Sequence, residues 1–264
     1  LIVRAMKPQT DAPMNPLTAS QSQSRPARRR RTALNLGRSS LAALAIAGGT
    51  LAPPQAQAAT FAEDLAFLRK HVDVIVLSNR TGNAQVALVP GWQGRVMTST
   101  AEGDGGMSFG WINRELIASR KRQPHINVFG GEDRFWLGPE GGQYSIFFAK
   151  GVPFDLEHWF TPAPIDTQPF RVTTRGDTRA SFRQTFNLTN YSGAVFNLEV
   201  DREIRLMTPS QTWRQLGIKP VSDVNLVAFE TLNTISNKGT HPWAKETGLL
   251  SIWKIGRALC STSR

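Results

Sequence analysis

Alternation of apolar and polar residues is strongest in two consecutive segments near the middle of the chain. In SFRQTFNLT, residues 181–189, two phenylalanines and a leucine share one face, and polar residues take the other. The segment AVFNLEVDREIRLM, residues 194–207, is apolar at every even position except Arg202. A period of two predicts strands with one face on a core and one face toward water. Because the intervening YSGA is turn-forming, we expect a long antiparallel hairpin.

Shorter patterns predict one helix and several further strands. FAEDLAFLRKH, residues 61–71, has the apolar spacing of a short amphipathic helix. Turn-rich SNRTGN separates two apolar runs, as a hairpin connection does. The predicted additional strands are VDVIVL (72–77), AQVALVP (84–90), GRVMTST (94–100), VNLVAFETL (224–232) and TGLLSIW (247–253). Since strands predominate and do not alternate with long helices, the predicted class is mainly β, an antiparallel β-sandwich.

Residues 1–58 differ from the rest of the chain because they contain no aromatic residue. They carry four consecutive arginines at 28–31, a mild apolar run at 41–52 and Ala-Gln-Ala before Ala59. This order predicts a signal peptide cleaved after Ala58 and a periplasmic or secreted protein. RRTAL (30–34) resembles a twin-arginine signal. The alternatives are a disordered basic tail, and translated upstream sequence for the first residues, before Met6 or Met14.

Charge and cysteine content narrow the classes of partner. Eight of the 31 basic residues and one of the 20 acidic residues precede Ala59, which leaves 23 basic and 19 acidic residues in the remainder. That balance lacks the concentrated positive charge of a nucleic-acid-binding protein. The apolar run at 41–52 is too short to span a bilayer, so no stable membrane span is expected after signal removal. The single cysteine, Cys260, excludes an intrachain disulfide and a thiolate metal cluster.

The remaining chain is divided at Trp253 by a change of pattern. Residues 59–253 form one predicted β-sandwich domain, and residues 254–264, KIGRALCSTSR, follow no strand or helix period. We interpret this tail as the mark of a truncation or frameshift. The alternative is a solvated terminus.

Three segments resemble the galactose mutarotase-like superfamily of the aldose 1-epimerase type, in a branch of secreted bacterial proteins. They are VALVPGWQGRVMTST (86–100), FGGEDRFWLGPEGG (129–142) and FETLNTISNKG (229–239), and the resemblance covers roughly residues 72–253. It implies a supersandwich that is incomplete at its C-terminus and that binds a sugar on its concave face. It also implies cofactor-free epimerisation, with a carboxylate as general base on the anomeric hydroxyl and a histidine as general acid on the ring oxygen. The alternatives are a non-catalytic carbohydrate-binding or structural sandwich, and an inactive truncated product.

The run HINVFGGEDRFWLGPEGGQYSIFF, residues 125–148, is the candidate binding site. Glu132, Asp133 and Arg134 could hydrogen-bond sugar hydroxyls, and Trp136 could stack on a pyranose. Glu140 could stand at the rim as a catalytic carboxylate, and the two Gly-Gly pairs would let a ligand approach the backbone. In the alternative interpretation these residues form a glycine-rich corner with an internal Arg–Glu pair and a tryptophan that belongs to the core.

Two histidines and one further carboxylate complete the candidate set. His158 lies between Glu157 and Trp159, where a carboxylate could keep it protonated as a general acid, and Trp159 is a candidate sugar contact. His125, which precedes a short predicted apolar strand, is a further candidate for binding or acid chemistry. Glu230 would share a strand face with apolar residues, which raises a carboxyl pKa and suits it to proton transfer. Each has a structural alternative: a hydrogen-bonded or loop histidine, and a solvated groove carboxylate.

No metal and no cofactor are predicted. The sequence contains no His-x-His, no His-Glu-x-x-His and no EF-hand spacing of acidic residues. Its glycine pairs do not stand between a strand and a helix, as a nucleotide fingerprint requires.

Overall fold

The computed structural model describes residues 1–6 and 59–255, with only the backbone of residues 6, 254 and 255. The arginine run, the apolar run and the cleavage box lie outside the described residues, as does most of the 254–264 tail, so these remain predictions. The elements are β1 Ile2–Met6, α1 Phe61–Arg69, β2 Ile75–Ser78, β3 Gln85–Val89, β4 Arg95–Thr100, α2 Arg114–Ser119, β5 Arg134–Gly138, α3 Ala163–Asp166, β6 Arg171–Arg175, β7 Arg179–Thr189, β8 Val195–Leu206, α4 Pro209–Leu216, β9 Asn225–Asn237 and β10 Ser251–Ile255.

The described strands form three antiparallel sheets. The largest has the order β1-β9-β8-β7-β6, the second is β2-β3-β4, and the third pairs β10 with β5. The predicted hairpin of β7 and β8 is confirmed, with Phe186 opposite Leu198 and Phe182 opposite Arg202. The predicted hairpin of β2 and β3 is confirmed as well.

One hydrophobic core joins all three sheets. Phe182 and Leu198 of the five-stranded sheet lie in the same buried cluster as Leu77 and Leu88 of the three-stranded sheet and Phe135 of β5. Because each long strand buries alternate residues, one face of the five-stranded sheet meets this core and the other faces solvent. The predicted class, a mainly β antiparallel sandwich, is therefore confirmed.

Helix α1 covers the face of the three-stranded sheet that points away from the main core. Thr60 and Glu63 form a capping box that satisfies backbone N–H groups at its start. Its apolar stripe, which includes Phe61 and Leu68, packs in a second buried cluster with Met97 of β4. The predicted helix at 61–71 is thus confirmed, and it ends two residues earlier than the pattern suggests.

Several elements differ from the sequence predictions. No strand follows His125, because residues 126–129 bond to loops instead of to a sheet. β10 begins at Ser251, four residues after the predicted start. Helix α4 is absent from the sequence predictions. Its N-cap Thr208 forms a capping box with Gln211, and Pro209 between them occupies the first helical position. β1 lies in the predicted leader, where it pairs with β9. Within residues 1–6 and 59–255, no helix is long and apolar enough to span a membrane.

Candidate functional site

The first glycine pair of the candidate segment lies inside the fold. Gly130 has a φ of 96°, and a Cβ added there would stand 2.1 Å from the carbonyl oxygen of Trp111. A Cβ on Gly131 would stand 2.7 Å from the carbonyl oxygen of Val96. Glycine is therefore required here for close approach of two backbones, and not for approach of a ligand.

Asp133 forms a buried ion pair with Arg202 of β8. Its carboxylate accepts a hydrogen bond from Arg202, the residue that interrupts the alternation of β8. The Arg202 side chain is fully buried and also donates to the Gly94 carbonyl at 3.3 Å and to Asn233 Oδ1 at 2.8 Å. The break in the apolar pattern is thus a buried ion pair that joins β8 to the candidate segment.

Arg134 forms a second buried ion pair, with Asp166 at the end of α3. Its Nη2 lies 2.7 Å from Asp166 Oδ1, and its guanidinium stands 4.1 Å from the centre of the Trp136 ring. Asp166 also accepts from the backbone N–H and the Nδ2 of Asn127, so it ties three segments together. Burial lowers the pKa of Arg134 to about 10, while the carboxylate of Asp166 acts in the opposite direction.

Glu132 is buried beside the first strand. Its Oε2 lies 3.3 Å from Nε of Arg4 on β1. Burial raises its pKa, against the opposing hydrogen bond of Ser99 and the charge of Arg4. Glu132, Asp133 and Arg134 therefore each pair with a residue outside the candidate segment, and the internal Arg–Glu pair of the alternative interpretation does not form.

Replacement of Glu132 by glutamine should change the pH dependence of stability. The folded-state pKa lies above its ordinary value of 4.5, so the folded protein holds a proton that the unfolded chain releases between those two pKa values. The free energy of unfolding should therefore fall as pH rises through that window. Glutamine does not bind this proton, so the free energy of unfolding of the variant, relative to that of the wild type, should increase with pH. Urea unfolding at several pH values between 4 and 8 measures this, and a constant difference would contradict it.

Glu140 stands at the surface, where the sequence analysis placed it. Nε1 of Trp136 donates to Glu140 Oε1 at 2.7 Å, and the carboxylate is half-buried. The Trp136 ring itself is 1% exposed, so the interpretation as a core residue is confirmed and its faces are covered. Around Gly141 and Gly142 an added Cβ would meet no atom within 4 Å, which leaves open space beside the carboxylate.

A row of packed aromatic rings runs from Trp136, which binds Glu140, to Trp159, which contacts His125 and follows His158 in the chain. Trp136 packs against Phe147 with ring centres 5.3 Å apart, and Phe147 stacks on Trp159 at 5.1 Å. Nδ1 of His125 lies 2.7 Å from the carbonyl oxygen of Trp159. Because a carbonyl can only accept, Nδ1 of His125 carries a proton in this contact.

His158 has a different carboxylate partner from the one suggested by its sequence neighbours. Its Nδ1 lies 2.6 Å from Oδ1 of Asp155, three residues earlier in the chain. The partner is thus Asp155 and not the adjacent Glu157. The hydrogen bond from His158 lowers the pKa of the Asp155 carboxyl. The imidazole is partly exposed, so it forms a solvent-accessible His–Asp pair two residues from Phe160.

Exposed apolar side chains surround this pair. In the loop of residues 154–160, hereafter the 154–160 loop, Leu156 is 85% exposed, Phe154 52% and Phe160 45%. Phe160 stacks on His125 at 4.4 Å, and Phe154 packs edge-on against Phe148 at 4.9 Å. Sequence reasoning missed these residues, although large apolar side chains in a stretch without periodicity are a usable signal.

Glu230 lies elsewhere, on the five-stranded sheet. It is half-buried and accepts from Arg205 Nη2 at 3.0 Å, directly across the β8–β9 ladder. A chain of contacts therefore links Glu140, Trp136, Trp159 and His125, and His158 precedes Trp159 in the chain. Glu230 lies apart from them on another sheet. Among the described residues, no group of three or more metal-ligating side chains is found.

The described residues form a mainly β, antiparallel sandwich with a half-buried surface carboxylate, Glu140, and an exposed aromatic loop at residues 154–160. The chain belongs to the family described as "Family of unknown function (DUF6786)", whose model matches residues 59–263. The match begins at the predicted mature N-terminus. No curated protein and no solved structure matches the chain.

Proposed function

We propose that this protein is an exported carbohydrate-binding protein that holds a sugar between Glu140 and the 154–160 loop. The observation that carries the proposal is the setting of Glu140. Its carboxylate is fixed by Trp136, and the space beside it at Gly141 and Gly142 is open. The row of Phe147 and Trp159 leads from there to the exposed aromatic residues of the loop.

A sugar suits this chemistry because it presents hydroxyl groups on its edges and C–H groups on its faces. A carboxylate accepts strong hydrogen bonds from hydroxyl groups. Phe154 and Phe160 offer ring surface at which a pyranose face could lie, and exposed aromatic residues of this size mark binding sites. The resemblance to the mutarotase-like superfamily supports the same class of ligand, and the signal-peptide pattern supports export.

Mutarotase-type epimerisation is the second candidate function. The His158–Asp155 pair favours it, since a carboxylate that holds an imidazole in one tautomer is a common arrangement for proton transfer. In this scheme Glu140 takes the proton of the anomeric hydroxyl and His158 protonates the ring oxygen. The ring opens, the C1–C2 bond rotates, and the reverse proton transfers close the other anomer. Neither a metal nor a cofactor is needed.

Replacement of Glu140 by glutamine should weaken sugar binding about tenfold or more, because a hydrogen bond to a charged group contributes about 1.5–3 kcal/mol. Glutamine keeps an acceptor for Trp136, so the fold should be unaffected. Isothermal titration of the full chain with a panel of neutral and acidic monosaccharides and short oligosaccharides measures the affinity. Glu230→Gln, on the other sheet, is the matched control and should bind as the wild type does.

Two results would contradict the proposal. If no sugar in the panel binds, or if Glu140→Gln and Glu230→Gln bind equally well, the site is wrongly assigned. Anomer exchange measured by NMR on any sugar that binds tests the second candidate. A rate equal to that in buffer alone would exclude epimerisation and leave binding as the function.

A further inference from the structure

The first strand of the chain occupies the edge of the largest sheet. β1 pairs antiparallel with the first five residues of β9, with Ile2 opposite Phe229 and Arg4 opposite Val227. Directly opposed residues share a face, and Phe229 and Val227 are both buried, so Ile2 and Arg4 point inward. Ile2 packs against the main core.

The inward arginine meets a buried acidic side chain of the candidate segment, Glu132. Nε of Arg4 lies 3.3 Å from Oε2 of Glu132, whose side chain has no exposed surface. A charge that points inward from an edge strand must find a buried partner of opposite sign. Glu132 therefore favours a cationic side chain at the position of Arg4 in the edge strand.

Only one side of β1 is held by the sheet. It is the edge strand at one end of the order β1-β9-β8-β7-β6, and it spans five residues. The predicted cleavage after Ala58 would detach it from the domain that it completes. The edge of β9 from Asn225 to Phe229 would then present unpaired backbone N–H and C=O groups, which is the template for addition of another strand.

We propose that the edge of β9 from Asn225 to Phe229, together with Glu132, is a strand-acceptor site. Residues 2–6 fill it reversibly in the full chain. Once they are detached, the site takes an extended peptide segment of a partner protein with an apolar residue and, two positions later, an arginine. Backbone pairing supplies affinity, the core pocket takes the apolar residue, and Glu132 selects the cation. This inference does not depend on the proposed sugar site.

The test uses the full chain with a protease recognition sequence inserted between residues 20 and 21. After cleavage, a fluorescent peptide with the sequence of residues 1–8, LIVRAMKP, is titrated and its anisotropy is measured. The cut chain should bind it at least tenfold more tightly than the uncut chain, in which the tethered strand competes. A peptide carrying Arg4→Glu should bind at least tenfold more weakly, and this control does not depend on the folding of a protein variant.

Three outcomes would overturn the proposal. If the cut fragment stays bound in the presence of excess peptide, β1 is a permanent strand. If the Arg4→Glu peptide binds as well as the native peptide, Glu132 does not select the ligand. If gel filtration shows the uncut chain to be a dimer that Arg4→Glu in the protein dissociates, the acceptor takes the strand of a second copy and the assignment to one chain is wrong.

Discussion

Replacing Asp166 by asparagine should lower the free energy of unfolding by about 3–5 kcal/mol, the usual cost of removing one partner from a buried ion pair. Asparagine keeps a hydrogen-bond acceptor but loses the charge that compensates Arg134, whose guanidinium is almost fully buried. The two hydrogen bonds from Asn127 to the carboxylate would weaken at the same time. Urea unfolding followed by tryptophan fluorescence measures the change, with the slope m as a check that the transition itself is unaltered.

Two variants show whether this loss comes from the buried charge. Asp201→Asn removes a carboxylate that also lies 2.7 Å from an arginine, Arg183, but at the exposed surface, and should cost at most about 1 kcal/mol. The double variant Arg134→Met with Asp166→Asn removes both charges and should recover most of the lost stability. If Asp166→Asn costs no more than Asp201→Asn, the buried pair does not hold the candidate segment to α3.

The sheets could be predicted from the sequence because their signal is local. β7 and β8 alternate over their whole length, since one face is buried by the sandwich and the other is solvated. β5 was harder to recognise, because all five of its residues are buried and no alternation exists to detect. β1 could not be assigned by any local rule, because its partner lies more than 200 residues away along the chain.

The candidate segment contains residues that serve the fold and residues that stay at the surface, and the sequence did not separate the two. Polar residues in FGGEDRFWLGPEGG suggest a ligand site, yet Asp133 and Arg134 bind partners that are distant in the sequence, Arg202 and Asp166. Pairing of this kind depends on tertiary contacts, which a single sequence does not reveal. The interruption of β8 by Arg202 was the available sign, since a charged residue on a buried face requires a buried partner. Glu140, in contrast, follows the strand and stays at the surface.

The two glycine pairs of the same motif differ in their surroundings, and this difference leads to the second large prediction. Replacing Gly130 by alanine should destabilise the fold by about 3–5 kcal/mol, since backbone strain at positive φ adds to the cost of overpacking. The new Cβ would lie 2.1 Å from the carbonyl oxygen of Trp111, a backbone atom that cannot move without shifting its segment. Replacing Gly141 should cost less than about 1 kcal/mol, because its Cβ meets no atom within 4 Å.

A larger side chain at Gly141 tests whether the open space there is also a binding surface. Gly141→Phe should leave the urea midpoint near that of Gly141→Ala, because the ring extends into free space, but it should reduce sugar affinity by at least tenfold if the ligand occupies the space beside Glu140. Thermal and urea unfolding measure the first effect, and calorimetric titration with a sugar that the wild type binds measures the second. If Gly130→Ala is as stable as Gly141→Ala, the close backbone approach at Trp111 is not required for folding. If Gly141→Phe binds sugar as the wild type does, the ligand does not lie in the space beside Glu140.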